Sequence, residues 1–202
     1  MALSSLVSPV PLAAQPTVIV LASGRGERFI ASGGTAHKLK ALLAGKPVLE
    51  HTLDAVRASG LPWHLEDAGH PGMGDSIAAA VRATVGRAAG GGGWLILPGD
   101  LPLISADTLR AVAAALASSS ALTSVVVPVY QGERGHPVGF SAACGAALAA
   151  LLGDKGAASV VRASAVRELV VNDAGCVMDV DTVEALHAAE KVFTRGKSWA
   201  SQ

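Results

Sequence analysis

The chain has 202 residues, 50% of them hydrophobic but only 3% aromatic, and its 16 basic side chains balance 16 acidic ones. This length predicts one domain, or one with a small appendage, and an aliphatic core suits helices packed on a sheet better than an aromatic-rich sandwich. Zero net charge speaks against a general nucleic-acid or membrane-surface binder, either of which needs a basic excess.

Residues 1–16, MALSSLVSPVPLAAQP, lack the basic start of a signal peptide, and Pro9 and Pro11 interrupt their apolar run, so a disordered leader is expected. Thr17–Ala22, TVIVLA, is a β-branched run ended by glycines, the pattern of a strand buried on both faces. A glycine-rich, basic loop follows, and no helix is expected until Pro47 opens PVLEHTLDAVRASG, which Gly60 stops. LPWHLED is a short strand, and Gly74–Val85 a helix with Asp75 or Ser76 as cap. The glycine run 90–93 leads into WLILP, a second buried strand, and Ser105 caps the helix SADTLRAVAAALA. TSVVVPVY and HPVGF flank QGERG as an antiparallel hairpin. Helical stretches at 142–152 and 155–162, a last strand VRELVV and a closing helix DTVEALHAAEKVF, capped by Asp181 or Thr182, complete the pattern.

Residues 17–193 thus form one domain and 194–202 a flexible tail. Strands alternating with helices predict a three-layer α/β/α, Rossmann-like fold, its sheet mostly parallel with one antiparallel hairpin. Ligands of such sheets sit at the carboxyl ends of the strands. The glycine loop and PGDLP both fall there. No apolar run approaches the roughly 20 residues needed to cross a bilayer. Cys144 and Cys176 have neither metal spacing nor a disulfide framework, so a reducing cytoplasm is the expected setting.

GRGERF is open to three readings. A dinucleotide fingerprint needs a third glycine where this chain has Phe29, and a Walker loop needs a closing Gly-Lys-Ser/Thr that is absent. A plain surface loop is the third. Against it stands charge: Arg25, Arg28, Lys38 and Lys40 would repel one another unless an anion lay among them, two like charges about 4 Å apart costing roughly 4 kcal/mol at an effective dielectric near 20. The glycines let backbone N–H groups of Ser23 to Gly26 face that anion. A phosphate site is the expectation. Asp100, ending a strand at the ligand edge, suits Mg²⁺, though PGD followed by LP is also good turn chemistry.

LASGRGERF, HKLKALLAGKPVLEHTL, GMGDSI, LPGDLPLI, GHPVGF and DVDTVEAL, in this order, resemble the MobA-like nucleotidyltransferases, closest to the molybdenum cofactor cytidylyltransferases. The resemblance runs from about Val18 to Leu186 and implies the nucleotide-diphospho-sugar transferase type of fold. It also implies a reaction in which the phosphate of molybdopterin attacks the α-phosphate of an NTP and pyrophosphate leaves. Leu21, Ala22, Ser23 and Gly24 would lie along base and ribose, and Gly24, Arg25, Gly26 and Arg28 along the phosphates. Lys38, with Lys40 as rival, would neutralise the α-phosphate. Asp100 and Asp181 would hold Mg²⁺, with Asp179 the weaker alternative. Gly74 and Ser76 would meet the base or an anion, and His136 the pterin. By the same resemblance, a small non-glycine residue at Ser23 would narrow the pocket and favour CTP over GTP. The remaining histidines, His37 and His70 among them, have no ligand spacing and read as structural or solvated.

The match departs from the family in two places. Extra residues including Gly33 and Gly34 precede Lys38, and the stretch between Gly60 and Gly74 is short, so the sheet is expected to be one strand–helix unit smaller. Beside the cytidylyltransferase with a molybdenum hydroxylase as partner, three alternatives stand: guanylyl transfer to the same acceptor, transfer to another phosphorylated small molecule, and a non-catalytic carrier of the cofactor.

Overall fold

The computed structural model describes residues 15–24, 26–35, 37–88, 92–119 and 123–199. Arg25 and all but the last two residues of the expected leader lie outside them.

Strand β1, Thr17–Leu21, is the hub. Its first four residues are buried, as a strand covered on both faces must be. It pairs in parallel with β4, Trp63–Glu66, on one edge and with β5, Trp94–Pro98, on the other. Beyond β5 the direction reverses. β8, Val138–Phe140, lies antiparallel to β5 and to β6, Val125–Tyr130, while β9, Val166–Val170, runs parallel to β6 on its far edge. The two-residue β7, Glu133–Arg134, pairs with the end of β6 and completes a seven-stranded sheet. A separate two-stranded hairpin, β2 (Leu42–Leu43) and β3 (Lys46–Pro47), turns through Ala44 and Gly45, both with positive φ. That is the backbone a right-twisted two-residue turn requires.

Alternation along the strands divides the core. Val18 and Val20 of β1 and Leu95 and Leu97 of β5 face α2 (Val48–Ser59) and α4 (Ala106–Ala117), where they pack with Leu53, Val56, Leu109 and Val112. Ile19, Trp94 and Ile96 face the other way, onto Ile77 and Val81 of α3 (Met73–Ala88), Leu148 of α5 (Gly145–Ala149) and Val160 of α6 (Ala158–Arg162). The buried Trp94 indole N–H donates to Thr84 Oγ1 at 3.0 Å, so no polar atom is stranded there. A third small core joins Phe29, Leu39, Leu43 and Val48 to Val180 and Ala189 of the C-terminal segment. It binds the basic loop to the closing helix α7, Val183–Trp199.

Several local expectations need correction. A one-turn helix, α1 (Glu27–Ala31), follows the glycine loop directly, because Gly26 at φ 67° turns the chain and Phe29 gives the turn a buried anchor. Helix α3 starts at Met73, which leaves Asp75 and Ser76 inside it rather than capping it: the Asp75 carboxylate accepts from Gly153 N–H and Ser76 Oγ donates to Gly72 O. The stretch 142–152 is a 3₁₀ turn plus the five-residue α5, and the next stretch shrinks to α6. Helix α7 runs on to Trp199, so the expected tail from 194 is largely helical. Between Gly60 and Gly74 the chain supplies only the four-residue edge strand β4 before α3 begins.

Among the described residues no helix is long and apolar enough to cross a membrane. Both thiols are buried, and burial followed by the nearby Asp173 charge pushes Cys176 up to about 11. Neither thiol is expected to react with an aromatic disulfide reagent at pH 8 in the folded protein, and both should react once it is unfolded in denaturant. A stoichiometric reaction under native conditions would contradict this burial.

Candidate active site

The hydrogen-bonded register of β1 and β5 sets Leu21 opposite Pro98, so the glycine loop and Pro98-Gly99-Asp100 leave the sheet side by side. Gly99 permits this closeness. Its N–H donates to Leu21 O at 2.9 Å, and a Cβ there would fall 2.9 Å from that same oxygen. Thr52 Oγ1 of α2 donates to Gly99 O at 3.0 Å and fixes the turn from behind.

Asp100 is only 7% exposed. Its Oδ2 lies 2.5 Å from Lys38 Nζ, while its Oδ1 is buried without a hydrogen-bond partner. The Asp100 carbonyl accepts from Val180 N–H at 2.9 Å, which draws Asp179-Val180-Asp181 alongside. Val180 is fully buried, so the flanking aspartates project away from the core. The result is three carboxylates, Asp100, Asp179 and Asp181, each offering an oxygen within 4.8 Å of the others. The open choice of cap resolves in the same place: Ala185 N–H donates to Thr182 Oγ1, which leaves Asp181 for the cluster.

Two cations face these carboxylates. Lys38 Nζ bridges to Asp181 Oδ1 at 2.5 Å, and Arg28 NH1 reaches Asp181 Oδ2 at 2.6 Å. Lys38 stands in a 3₁₀ turn, Lys38–Lys40, pinned by the buried Leu39, whereas Lys40 points out and is exposed. Burial pulls the Lys38 pKa down, but the Asp100 and Asp181 carboxylates outweigh it and hold the ammonium above its ordinary value. Burial pushes Asp181 up, and Lys38 with Arg28 outweighs that and keeps it below the ordinary carboxylate range. Asp179 goes the other way, raised by burial and then by the Asp181 and Asp100 charges. Among the described residues, three carboxylates against two cations leave one negative charge uncompensated. With the orphaned Asp100 Oδ1, this donor set fits a hard divalent cation, which takes one or two carboxylates and completes its shell from phosphate and water.

Asp100 and Asp181 of the cluster line a cleft of about 450 Å³, a size that suits a small-molecule ligand. Leu21, Ser23, Gly24, Gly26, Arg28 and Lys38 all line it. Ser23 Oγ and Ala22 N–H both donate to Glu66 O, at 3.1 and 2.8 Å, and this fixes the start of the loop. Among the described residues the N–H groups of Ser23, Gly24 and Gly26 make no hydrogen bond, as an anion-binding turn requires. Lys38 and Arg28 need no bound anion to offset them, contrary to the expectation for the loop's charges. The counter-charges of Lys38 and Arg28 are protein carboxylates, and Lys40 is exposed.

Not every expected residue reaches the cleft. Ala22 packs into the third core. The Gly74 N–H is used on Gly153 O at 2.7 Å, and a Cβ there would meet that oxygen at 2.8 Å, so Gly74 is a packing glycine. Ser76 lines the cleft, but it is 2% exposed and its hydroxyl is spent on Gly72 O. His136 is close enough to Asp100 to feel its charge yet does not line the cleft; burial lowers its pKa and the Asp100 carboxylate opposes this. The cleft wall instead includes His70, whose Nε2 lies 3.5 Å from the buried Glu66 carboxylate, with His64 Nε2 at 3.6 Å from its other oxygen. No local signal in the sequence marks His70, because its place depends on the burial of Glu66 at the end of the edge strand β4.

Residues 18–169 match the MobA-like NTP transferase domain. Among solved structures, Rv0371c from Mycobacterium tuberculosis H37Rv is 26% identical with a TM-score of 0.72, over 88% of this chain and 98% of its own. Rv0371c in complex with manganese gives 25% identity and a TM-score of 0.67, over 88% and 98%. Molybdopterin-guanine dinucleotide biosynthesis protein A from Archaeoglobus fulgidus, at 18% identity and a TM-score of 0.61 over 90% and 99%, shares the fold. No curated protein is significantly similar to the chain.

Proposed function

The chain belongs to the MobA-like NTP transferase family, and we propose that it is a magnesium-dependent enzyme that transfers CMP from CTP to the phosphate of molybdopterin or its metal-loaded form. The observation that carries this reading is the convergence of Asp100, Asp181, Lys38 and Arg28 beside a glycine loop whose N–H groups make no hydrogen bond among the described residues. Cations and amide donors there meet a triphosphate, and the acidic cluster meets its metal. The manganese complex of Rv0371c supports a divalent ion in this fold.

In this reaction an acceptor phosphate oxygen forms a bond to the α-phosphorus of CTP. The bond from that phosphorus to the bridging oxygen breaks, and pyrophosphate leaves with the electron pair. Such a displacement needs in-line positioning and neutralised charge more than covalent help. The Gly24 and Gly26 amides hold phosphate oxygens, and Lys38 and Arg28 offset the charge that grows on them. A divalent ion on Asp100 and Asp181, with Asp179 beside them, supplies further charge neutralisation when bound. The Ser23 side chain, held toward Glu66, narrows the base end of the cleft and favours a pyrimidine. The product would pass to a molybdenum hydroxylase.

An acceptor screen tests all of this. Purified protein with Mg²⁺, α-labelled CTP or GTP, and either molybdopterin or a panel of sugar phosphates should release pyrophosphate fastest with CTP and molybdopterin. Faster release with GTP overturns the base assignment, and faster release with a sugar phosphate overturns the acceptor. Binding of the cofactor with no release from any pair would favour a carrier.

A further inference from the structure

We propose that His37 is a positioning residue that fastens the phosphate loop to the turn carrying Lys38, so that amide donors and ammonium present themselves to the nucleotide as one rigid unit. The inference rests on the nucleotide-binding reading above. Its starting point is one imidazole ring with two different partners. The Leu39 backbone N–H donates to His37 Nδ1 at 3.3 Å, and His37 Nε2 contacts the Gly24 carbonyl oxygen. A ring nitrogen that accepts carries a lone pair, so the proton of the neutral ring sits on Nε2. The Gly24 oxygen can only accept. One tautomer, Nε2–H, therefore satisfies both contacts, and the other satisfies neither.

The two partners belong to the two segments that matter. Gly24 lies in the loop after β1, in the cleft wall. Leu39 is in the 3₁₀ turn that His37 caps, and Lys38 is its first residue. The ring also seats against the loop backbone: a Cβ at Gly26 would lie 3.3 Å from His37 Cδ2 and 3.4 Å from Lys38 N. Glycines give this loop wide backbone freedom, and freedom left in a binding loop is lost on binding at a cost in affinity. A clamp at Gly24 removes part of that freedom beforehand.

Amide substitutions separate the two contacts. Glutamine places an N–H near the Nε2 position and restores the Gly24 contact alone; asparagine places an acceptor near the Nδ1 position and restores the cap alone. The measurement is isothermal titration with a non-hydrolysable CTP analogue and Mg²⁺, with a thermal melt of each variant as fold control. His37→Ala and His37→Asn should bind about tenfold more weakly than wild type, and His37→Gln within about threefold. Wild-type affinity in His37→Ala, or rescue by asparagine and not glutamine, overturns the proposal in favour of a merely structural cap. In ¹⁵N-labelled, nucleotide-free protein the His37 ring should show the Nε2–H tautomer, and an Nδ1–H ring would overturn it too. Failure of the wild type to bind any nucleotide, with the Nε2–H tautomer present, would instead defeat the nucleotide-binding reading.

Discussion

Asp100→Asn should lower pyrophosphate release at least a hundredfold, about 2.7 kcal/mol of barrier, and abolish binding of Mn²⁺ to the nucleotide-free protein. The substitution keeps the shape of the side chain and removes its charge. It acts on the one member of the cluster that is buried, has an oxygen without a partner, and is fixed on both sides of the backbone by Thr52 Oγ1 on Gly99 O and Val180 N–H on Asp100 O. A side chain so held cannot be replaced by the more exposed Asp179 swinging into its place. The fold should survive, because Lys38 retains Asp181 and no unpaired ammonium is left buried. Manganese binding followed by electron paramagnetic resonance, turnover and a thermal melt separate these effects. Turnover within a few-fold of wild type in a folded variant would remove Asp100 from the reaction.

How much of this site could be read from residues alone depended on the reach of each signal. Local patterns were legible. The β-branched run of β1, the Ser105 cap and the hairpin around QGERG all stand in the structure, with Ser105 Oγ accepting from Thr108 N–H and Val125 opposite Phe140. So was the meeting of Asp100 with the basic loop, which follows from two strand ends that topology makes neighbours. Long-range pairing was not. Lys38 finds its carboxylates 62 and 143 residues away, so the loop's charges looked unbalanced when their counter-ions were elsewhere in the chain. His70 was invisible for the same reason, since its place in the wall depends on Glu66 being buried behind it. Helix α1, at five residues, is too short to show a period, and only its single buried Phe29 marks it. Gly74 shows the converse error. A glycine before a helix suggested ligand contact, but what it admits is the Gly153 carbonyl.

Lys38→Met should likewise cost at least a hundredfold in turnover, but with the opposite effect on the metal. The ammonium stands 2.5 Å from Asp100 Oδ2 and 2.5 Å from Asp181 Oδ1, between the oxygens that fit a divalent ion. The carboxylates outweigh burial and keep the Lys38 pKa above its ordinary value, so the side chain stays charged across the neutral range and does not withdraw from the cluster by losing its proton. Metal entering the nucleotide-free protein must therefore face a resident positive charge. Among the described residues, removing it changes the local sum from one uncompensated negative charge to two, with Arg28 still on Asp181. Mn²⁺ should then bind the free protein at least tenfold more tightly, since even at an effective dielectric near 20 one charge at about 4 Å is worth several kcal/mol. A nucleotide's phosphates offer the displaced ammonium a new partner, so in the wild type the metal should bind more tightly when CTP is present. Manganese titrations of wild type and Lys38→Met, with and without a non-hydrolysable CTP analogue, test both statements. Equal Mn²⁺ affinity in the two free proteins would show that the lysine does not contend for the metal position, and full turnover in the variant would take it out of the chemistry.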